Sequence, residues 1–240
     1  MDFSRRSYEK ELLDGDDIDF SEIALNMREL ETINRWLGGH RLTIRGMRRL
    51  AGDARSLHVC EIGCGGGDNL KAVADWGRKA GVDIRLTGID VKESCIGFAR
   101  GRKDIGASTE WICSDYRVAR PESTPDVVFC SLFCHHFDEP SILHIMDWMH
   151  ANSRLGYFIN DLQRDRMAYA GIRILTALFS RSRLVRNDAP LSVRRGFGRR
   201  DLEGLVAAAS ERQADVRFEI ESGWAFRWLL TADKKTWETQ

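Results

Sequence analysis

The stretch His58-Val-Cys-Glu-Ile-Gly-Cys-Gly-Gly-Gly-Asp-Asn-Leu70 constrains this chain more than any other. A short β-type run ends there in a glycine-rich turn, and a helical pattern follows at once. Backbone N–H groups converge at such a turn, which makes it a general cradle for nucleotide-like ligands. Glycines at 63, 65 and 67 permit tight turning and close backbone approach. The surrounding pattern alternates in type. Strand-like runs at 57–62, 84–89, 111–113, 126–132 and 155–159 are separated by helical patterns at 69–79, 93–100 and 141–149. This alternation predicts an α/β fold, a mostly parallel sheet with helices on both faces.

The flanks read differently. Residues 1–20 form an irregular acidic arm, and 21–50 are helical with a break at Gly38-Gly39. At the other end, β-type runs at 216–221 and 226–231 are separated by too few residues for a crossover helix, so the sheet closes with an antiparallel pair. We therefore expect an arm and helical cap over 1–52 and the main domain over 53–240. A substrate-cap insertion is expected at 161–200, helical over 167–179 and then rich in arginine.

Composition bounds the function. The 240 residues carry 36 basic and 36 acidic side chains, a net charge of zero, which argues against a simple duplex binder. The balance averages unlike regions: residues 1–30 hold nine acids and four bases, and residues 181–200 hold seven arginines and one acid. Cys60, Cys64, Cys95, Cys113, Cys130 and Cys134 form no C-x-x-C pair and are expected as small buried hydrophobes in a reducing, cytoplasmic setting. The charged opening does not read as a signal peptide, and the nearly apolar run 127–137 is too short for a bilayer. A soluble monomer or homodimer, with no nucleic-acid or membrane partner, is the expectation.

The glycine turn is not that of a dinucleotide enzyme, whose G-x-G-x-x-G would place glycine at 68, where Asp68 stands. Acids recur instead at three successive strand ends: Glu61, Asp90 and Asp115. Such a set suits a cationic, adenosine-bearing ligand better than a pyrophosphate. Here the sequence resembles class I S-adenosylmethionine (SAM)-dependent methyltransferases, in Glu61-Ile-Gly-Cys-Gly-Gly-Gly67, Asp90, Asp115 and Asp126-Val-Val-Phe-Cys-Ser131. The resemblance covers about residues 55–161 and implies a Rossmann-like, seven-stranded, mostly parallel sheet with an antiparallel final strand and an N-terminal helical lid. It also implies SAM as cofactor, leaving as S-adenosylhomocysteine (SAH). Glu61 would organise the loop and the amino-acid end of SAM, Asp90 would hold the ribose, and Asp115 with Tyr116 would lie by the adenine. Cys130 and Ser131 would face the cofactor near its methyl group. Gly63, Cys64, Gly65, Gly67, Asn69 and Val91 complete the implied cofactor set.

Phe133-Cys-His-His-Phe137 extends the likeness to the small-molecule branch, including ubiquinone/menaquinone-type and polyketide methyltransferases. Ile33-Asn-Arg-Trp-Leu-Gly-Gly-His40 and the stretch 160–193 resemble methyltransferases encoded beside type III polyketide synthases. The implied reaction is in-line methyl transfer, without a metal, to a small aromatic or polyketide-like acceptor, as part of secondary metabolism. His136 and His135 are the catalytic candidates. Each is read as a pocket-lining residue ahead of a general base. Trp36, Tyr169, Ile172, Leu175 and Phe179 are candidates for the acceptor pocket or for ordinary packing. RNA or protein methylation, helped by the arginine run, is the rival enzyme reading. A non-catalytic SAM-binding partner is the rival from another class.

Overall fold

A computed structural model describes residues 2–15, 18–106 and 109–234. The elements run α1 (Phe20–Trp36), α2 (Gly39–Ala51), β1 (Ser56–Ile62), α3 (Asp68–Ala80), β2 (Asp83–Asp90), α4 (Glu93–Arg100), β3 (Glu110–Cys113), β4 (Val127–Ser131), α5 (Glu139–Ala151) and β5 (Gly156–Leu162). They continue with α6 (Arg166–Phe179), α7 (Arg183–Arg195), α8 (Arg199–Ser210), β6 (Arg217–Gly223) and β7 (Arg227–Asp233). Seven strands form one sheet in the order β3-β2-β1-β4-β5-β7-β6. The first five are parallel, and β7 runs antiparallel to both β5 and β6. The fold class expected from the alternating pattern is present.

Strand alternation sorts the core into two layers. Val59, Val127, Phe129 and Phe158 face α2 and α3, with the Phe129 and Phe158 rings stacked 4.8 Å apart. Cys60, Ile62, Val128, Cys130 and Ile159 face α5 and α8 on the other side. Both faces are covered, which is why β4 reads as an unbroken apolar run. The strand order reverses between β1 and β4, and a cleft opens there at the carboxyl ends of the strands.

Two features of the flanks add to the expectation. The arm is irregular apart from one 3-10 turn (Leu12–Asp14), but it is tied into the fold. The buried Arg6 guanidinium donates to the carbonyls of His135, Phe137 and Arg195, and Asp188 accepts from the N–H groups of Leu12 and Leu13. The arginine-rich stretch is helix α7 and the start of α8, and it meets the arm and the start of α1. Arg183 pairs with Glu22, Arg194 with Glu9, and the buried Arg195 with Asp14. Opposite charges at the two ends of the sequence neutralise each other across this junction.

Candidate active site

The glycine turn is built by steric exclusion and by one carboxylate. Gly63 has φ +65°, and a Cβ there would lie 2.2 Å from the Phe133 ring; Gly67 has φ +75°, and its Cβ would lie 2.6 Å from Trp111. Any other residue would be strained and would collide as well. Between them the Gly65 N–H donates to Asp90 Oδ2 at 2.9 Å, and the Lys92 N–H donates to Oδ1 at 2.9 Å. Asp90 thus ties the end of β2 to the glycine turn. Burial raises its pKa, against the pull of those backbone donors.

Glu61 ends β1 on the α2/α3 side and is buried, with Oε2 unpartnered. Burial, then the nearby Asp68 charge, push its carboxyl well above the usual range. Asp68, the first residue of α3, is treated differently. Burial would raise its pKa, but His40 Nε2 at 2.8 Å and the Asn34 amide at 3.0 Å hold it below the usual value. Asn34 in turn accepts from the buried Arg227 guanidinium at 2.7 Å. A second polar chain runs beneath the turn, where Asn160 donates to Thr43 Oγ1 and Thr43 donates to Asn69 Oδ1. Through these contacts α1 and α2 form part of the site's floor. His40 is largely buried here.

A cleft of about 400 Å³ lies beside the turn, lined among others by Gly63, Asp90, Val91, Asp115, Tyr116 and Phe133. Tyr116 meets both Phe133 and Trp148 edge-on. Asp115 is bound by Arg117, which lowers its pKa. The cleft brings aromatic walls and a buried acid on a glycine turn to one place, and the unpartnered carboxylate oxygen of Glu61 is buried just before the turn, outside the cleft lining. That donor set fits a nucleoside carrying a cationic amino-acid end.

A second, larger cavity of about 700 Å³ lies beyond the loop that follows β4. Its walls come from the arm, α1, α6, α7 and the turn joining β6 to β7. Ile172 and Leu175 line it, while Leu175, Trp36 and Phe179 line an adjoining groove; Trp36 and Phe179 are 74% and 75% exposed. Tyr169 packs edge-on against Phe3 instead. The loop after β4 is the partition: Leu132, His135 and His136 line the large cavity, whereas Phe133 and Phe137 line the nucleoside cleft. Leu132 sits at φ +53° at the start of this wall, a conformation that costs roughly 1–3 kcal/mol for a residue with a side chain.

Both histidines are held by acids. His135 Nδ1 lies 2.7 Å from the buried Asp161, and burial, which would lower its pKa, is outweighed by Asp161 and Glu11, raising it to about 9. His136 Nδ1 lies 3.2 Å from Asp14. Glu11 and Asp161 were not singled out from the sequence. Asp161 stands at the carboxyl end of β5, the kind of position that flagged Asp90. Nothing local marks Glu11, because its neighbours belong to the loop after β4 and to α7.

The residues expected around the cofactor separate in the structure. Glu61, Gly63, Gly65, Gly67, Asn69, Asp90, Val91, Asp115 and Tyr116 gather around the turn and cleft. Cys64 is buried under the turn. Neither Cys130 nor Ser131 is among the residues lining the cleft, and as neighbours on a strand they point to opposite faces. Cys130 turns into the α5/α8 layer, its Sγ 3.5 Å from that of Cys134.

With this geometry established, comparison with known proteins gives a consistent result. Residues 59–155 match the family model described as a methyltransferase domain. The matched segment is 97 of the 240 residues, and the fold is that of class I SAM-dependent methyltransferases. Its fold is similar to that of the plantazolicin methyltransferase BpumL in complex with a triazolic desmethylPZN analogue and SAH, at TM-score 0.68 and 16% identity over 91% of this chain and 92% of that one. It is also similar to magnesium protoporphyrin IX methyltransferase (ChlM) from Synechocystis PCC 6803, at TM-score 0.52 and 13% identity over 92% and 90%. A SAM-dependent methyltransferase from Aquifex aeolicus aligns at TM-score 0.59 and 15% identity over 90% and 98%. No curated protein matches the sequence. Among the described residues, no helix is long and apolar enough to cross a membrane.

Proposed function

We propose that this chain is a SAM-dependent methyltransferase that acts on a small, largely apolar acceptor, aromatic or polyketide-like, held in the 700 Å³ cavity. The observation that carries this reading is the partition after β4. One short loop faces the nucleoside cleft with Phe133 and Phe137 and the large cavity with Leu132, His135 and His136. Donor and acceptor would meet at its edge. SAM supplies the methyl group together with its own leaving group, so the protein's task is orientation and exclusion of water. Asp90 and Glu61 are assigned to cofactor binding, and Ile172, Leu175 and Leu132 to the apolar acceptor wall. His135 and His136 are assigned to the polar inner end, where they orient a phenol or carboxylate. O-methylation is placed ahead of C-methylation on that account. BpumL is solved with desmethylPZN analogues and SAH, and ChlM is named for magnesium protoporphyrin IX, which is in keeping with a small-molecule acceptor.

The division into a cap (1–52) and a methyltransferase domain (53–240) belongs to this reading, with the cap forming one side of the acceptor cavity. RNA methylation loses its main support, since Arg183, Arg194 and Arg195 are engaged by acids of the N-terminal region. The test is Ile172→Trp, which adds bulk to the cavity wall from a helix remote from the glycine turn. SAH binding by calorimetry should stay within about twofold, while turnover of an acceptor panel shifts at least tenfold towards smaller substrates. An unchanged acceptor profile would remove the cavity assignment. SAH binding with no methyl transfer to any acceptor would favour a non-catalytic partner.

A further inference from the structure

At the inner end of the large cavity three side chains converge in a way that methyl transfer alone does not explain. Glu11, His135 and His136 each present a donor atom within 4.8 Å of the other two. His135 Nε2 lies 3.6 Å from Glu11 Oε1, and His136 Nε2 lies 3.8 Å from Oε2. Both distances exceed those of a hydrogen bond. The far side of each ring is fixed by a carboxylate, Asp161 on His135 Nδ1 at 2.7 Å and Asp14 on His136 Nδ1 at 3.2 Å. A carboxylate only accepts, so each Nδ1 keeps its proton and Nε2 is the atom left for a cation, which would displace the proton that Nε2 of His135 otherwise holds towards Glu11. Both Nε2 atoms face the Glu11 carboxylate, to whose Oε1 Ser192 donates at 2.7 Å. His135 Nε2 is fully buried and has no partner.

We propose that Glu11, His135 and His136 form a binding site for a divalent first-row transition ion, with its open side towards the acceptor cavity. Two imidazoles and one carboxylate are a zinc-type ligand set that leaves a position free. Ligand atoms about 2.1 Å from such an ion lie about 3.4 Å apart at the tetrahedral angle and about 3.8 Å apart at roughly 130°. The two nitrogen–oxygen separations, one to each Glu11 oxygen, fall at the wide end of that range, and the three donor atoms lie within 4.8 Å of one another, so an ion would draw them together. Carboxylates on the non-ligating nitrogens are the outer shell that fixes tautomer and ring orientation in metal sites. The local charge also favours a dication: Glu11, Asp14, Asp161 and Asp188 stand against the guanidinium groups of Arg6 and Arg195. This revises the expectation of a metal-free site. It rests on the acceptor reading only for what the open side faces, an oxygen of the acceptor or a water.

The probe is Co²⁺, added to full-length protein freed of metal by a chelator. One saturable Co²⁺ per chain is expected, with the visible absorption of a four- or five-coordinate ion. Glu11→Gln, which keeps an oxygen for Ser192, and His136→Ala should each weaken binding at least tenfold, while His150→Ala, at the distant Asp215 pair, should not. Should the variants fail to fold, proton NMR of the wild-type Co²⁺ form still decides: two strongly shifted imidazole N–H signals are expected, from the protons held by Asp161 and Asp14. No saturation, affinity unchanged in both variants, or no shifted imidazole signals would each overturn the site. SAH titration of the same samples keeps the two readings apart. Loss of SAH binding in wild type would count against the cofactor site and leave the cation result standing.

Discussion

The two sides of the partition after β4 are made by different means. On the nucleoside side, Glu61, the glycine turn, Asp90 and Asp115 lie at the carboxyl ends of neighbouring parallel strands. Their positions follow from strand order, and the chain need only end each strand with the right residue. On the acceptor side, Glu11 comes from the arm, His135 and His136 from the loop after β4, Asp161 from β5 and Asp188 from α7. No periodicity relates them; burial and ion pairing bring them together. The first region depends on backbone geometry, the second on long-range charge pairing.

The largest effect is expected where one side chain serves the backbone geometry directly. Asp90→Ala removes the acceptor of both the Gly65 and Lys92 N–H groups as well as the carboxylate assigned to the ribose. Hydrogen bonds to a charged group contribute about 1.5–3 kcal/mol each, so SAH affinity should fall at least about a hundredfold. Calorimetry on the folded variant measures this. Equal affinity would break the assignment of the cleft to the cofactor and, with it, the contrast between the two sides.

The sequence made the first region readable because its signals are local. The glycine turn, the strand-end acids and the short gap before β7 each lie within a few residues. Alternation of apolar residues predicted the strands and most of the helices. Cys130 and Ser131 show where local reading needs the pleat as well, since residues one apart leave a strand on opposite faces. The second region was not readable for a physical reason. Arg195 and Arg183 look alike in the run of arginines, yet Arg195 is buried and donates to the carbonyls of Glu9, His135 and His136, while Arg183 lies at the surface. Only the path of the arm over α7 distinguishes them.

Arg195→Ala sharpens this point. It takes the donor from the carbonyls of Glu9 and His136, leaves that of His135 to Arg6 alone and Asp14 to His136, in a position from which water is largely excluded. Removing one member of a buried polar cluster typically costs about 3 kcal/mol, and that loss of stability is expected in urea unfolding. The acceptor cavity should suffer with it, because the carbonyls concerned belong to the two histidines and to the arm. Unchanged stability would mean that the arm is not latched by charge.

Arg183→Ala is the matching small effect. Its guanidinium sits 2.8 Å from Glu22, but the two side chains are 62% and 37% exposed. An exposed pair gains little, because water screens the attraction and ordering two long side chains opposes it. The melting temperature should therefore not move measurably, at low salt or at high salt. A drop of several degrees that vanishes with added salt would show that this surface pair, joining α7 to α1, adds to the buried contacts of Arg6, Arg195 and Asp188 in closing the cavity wall. The acceptor side would then open and close with ionic strength, a behaviour the nucleoside side, tied by backbone hydrogen bonds to Asp90, would not share.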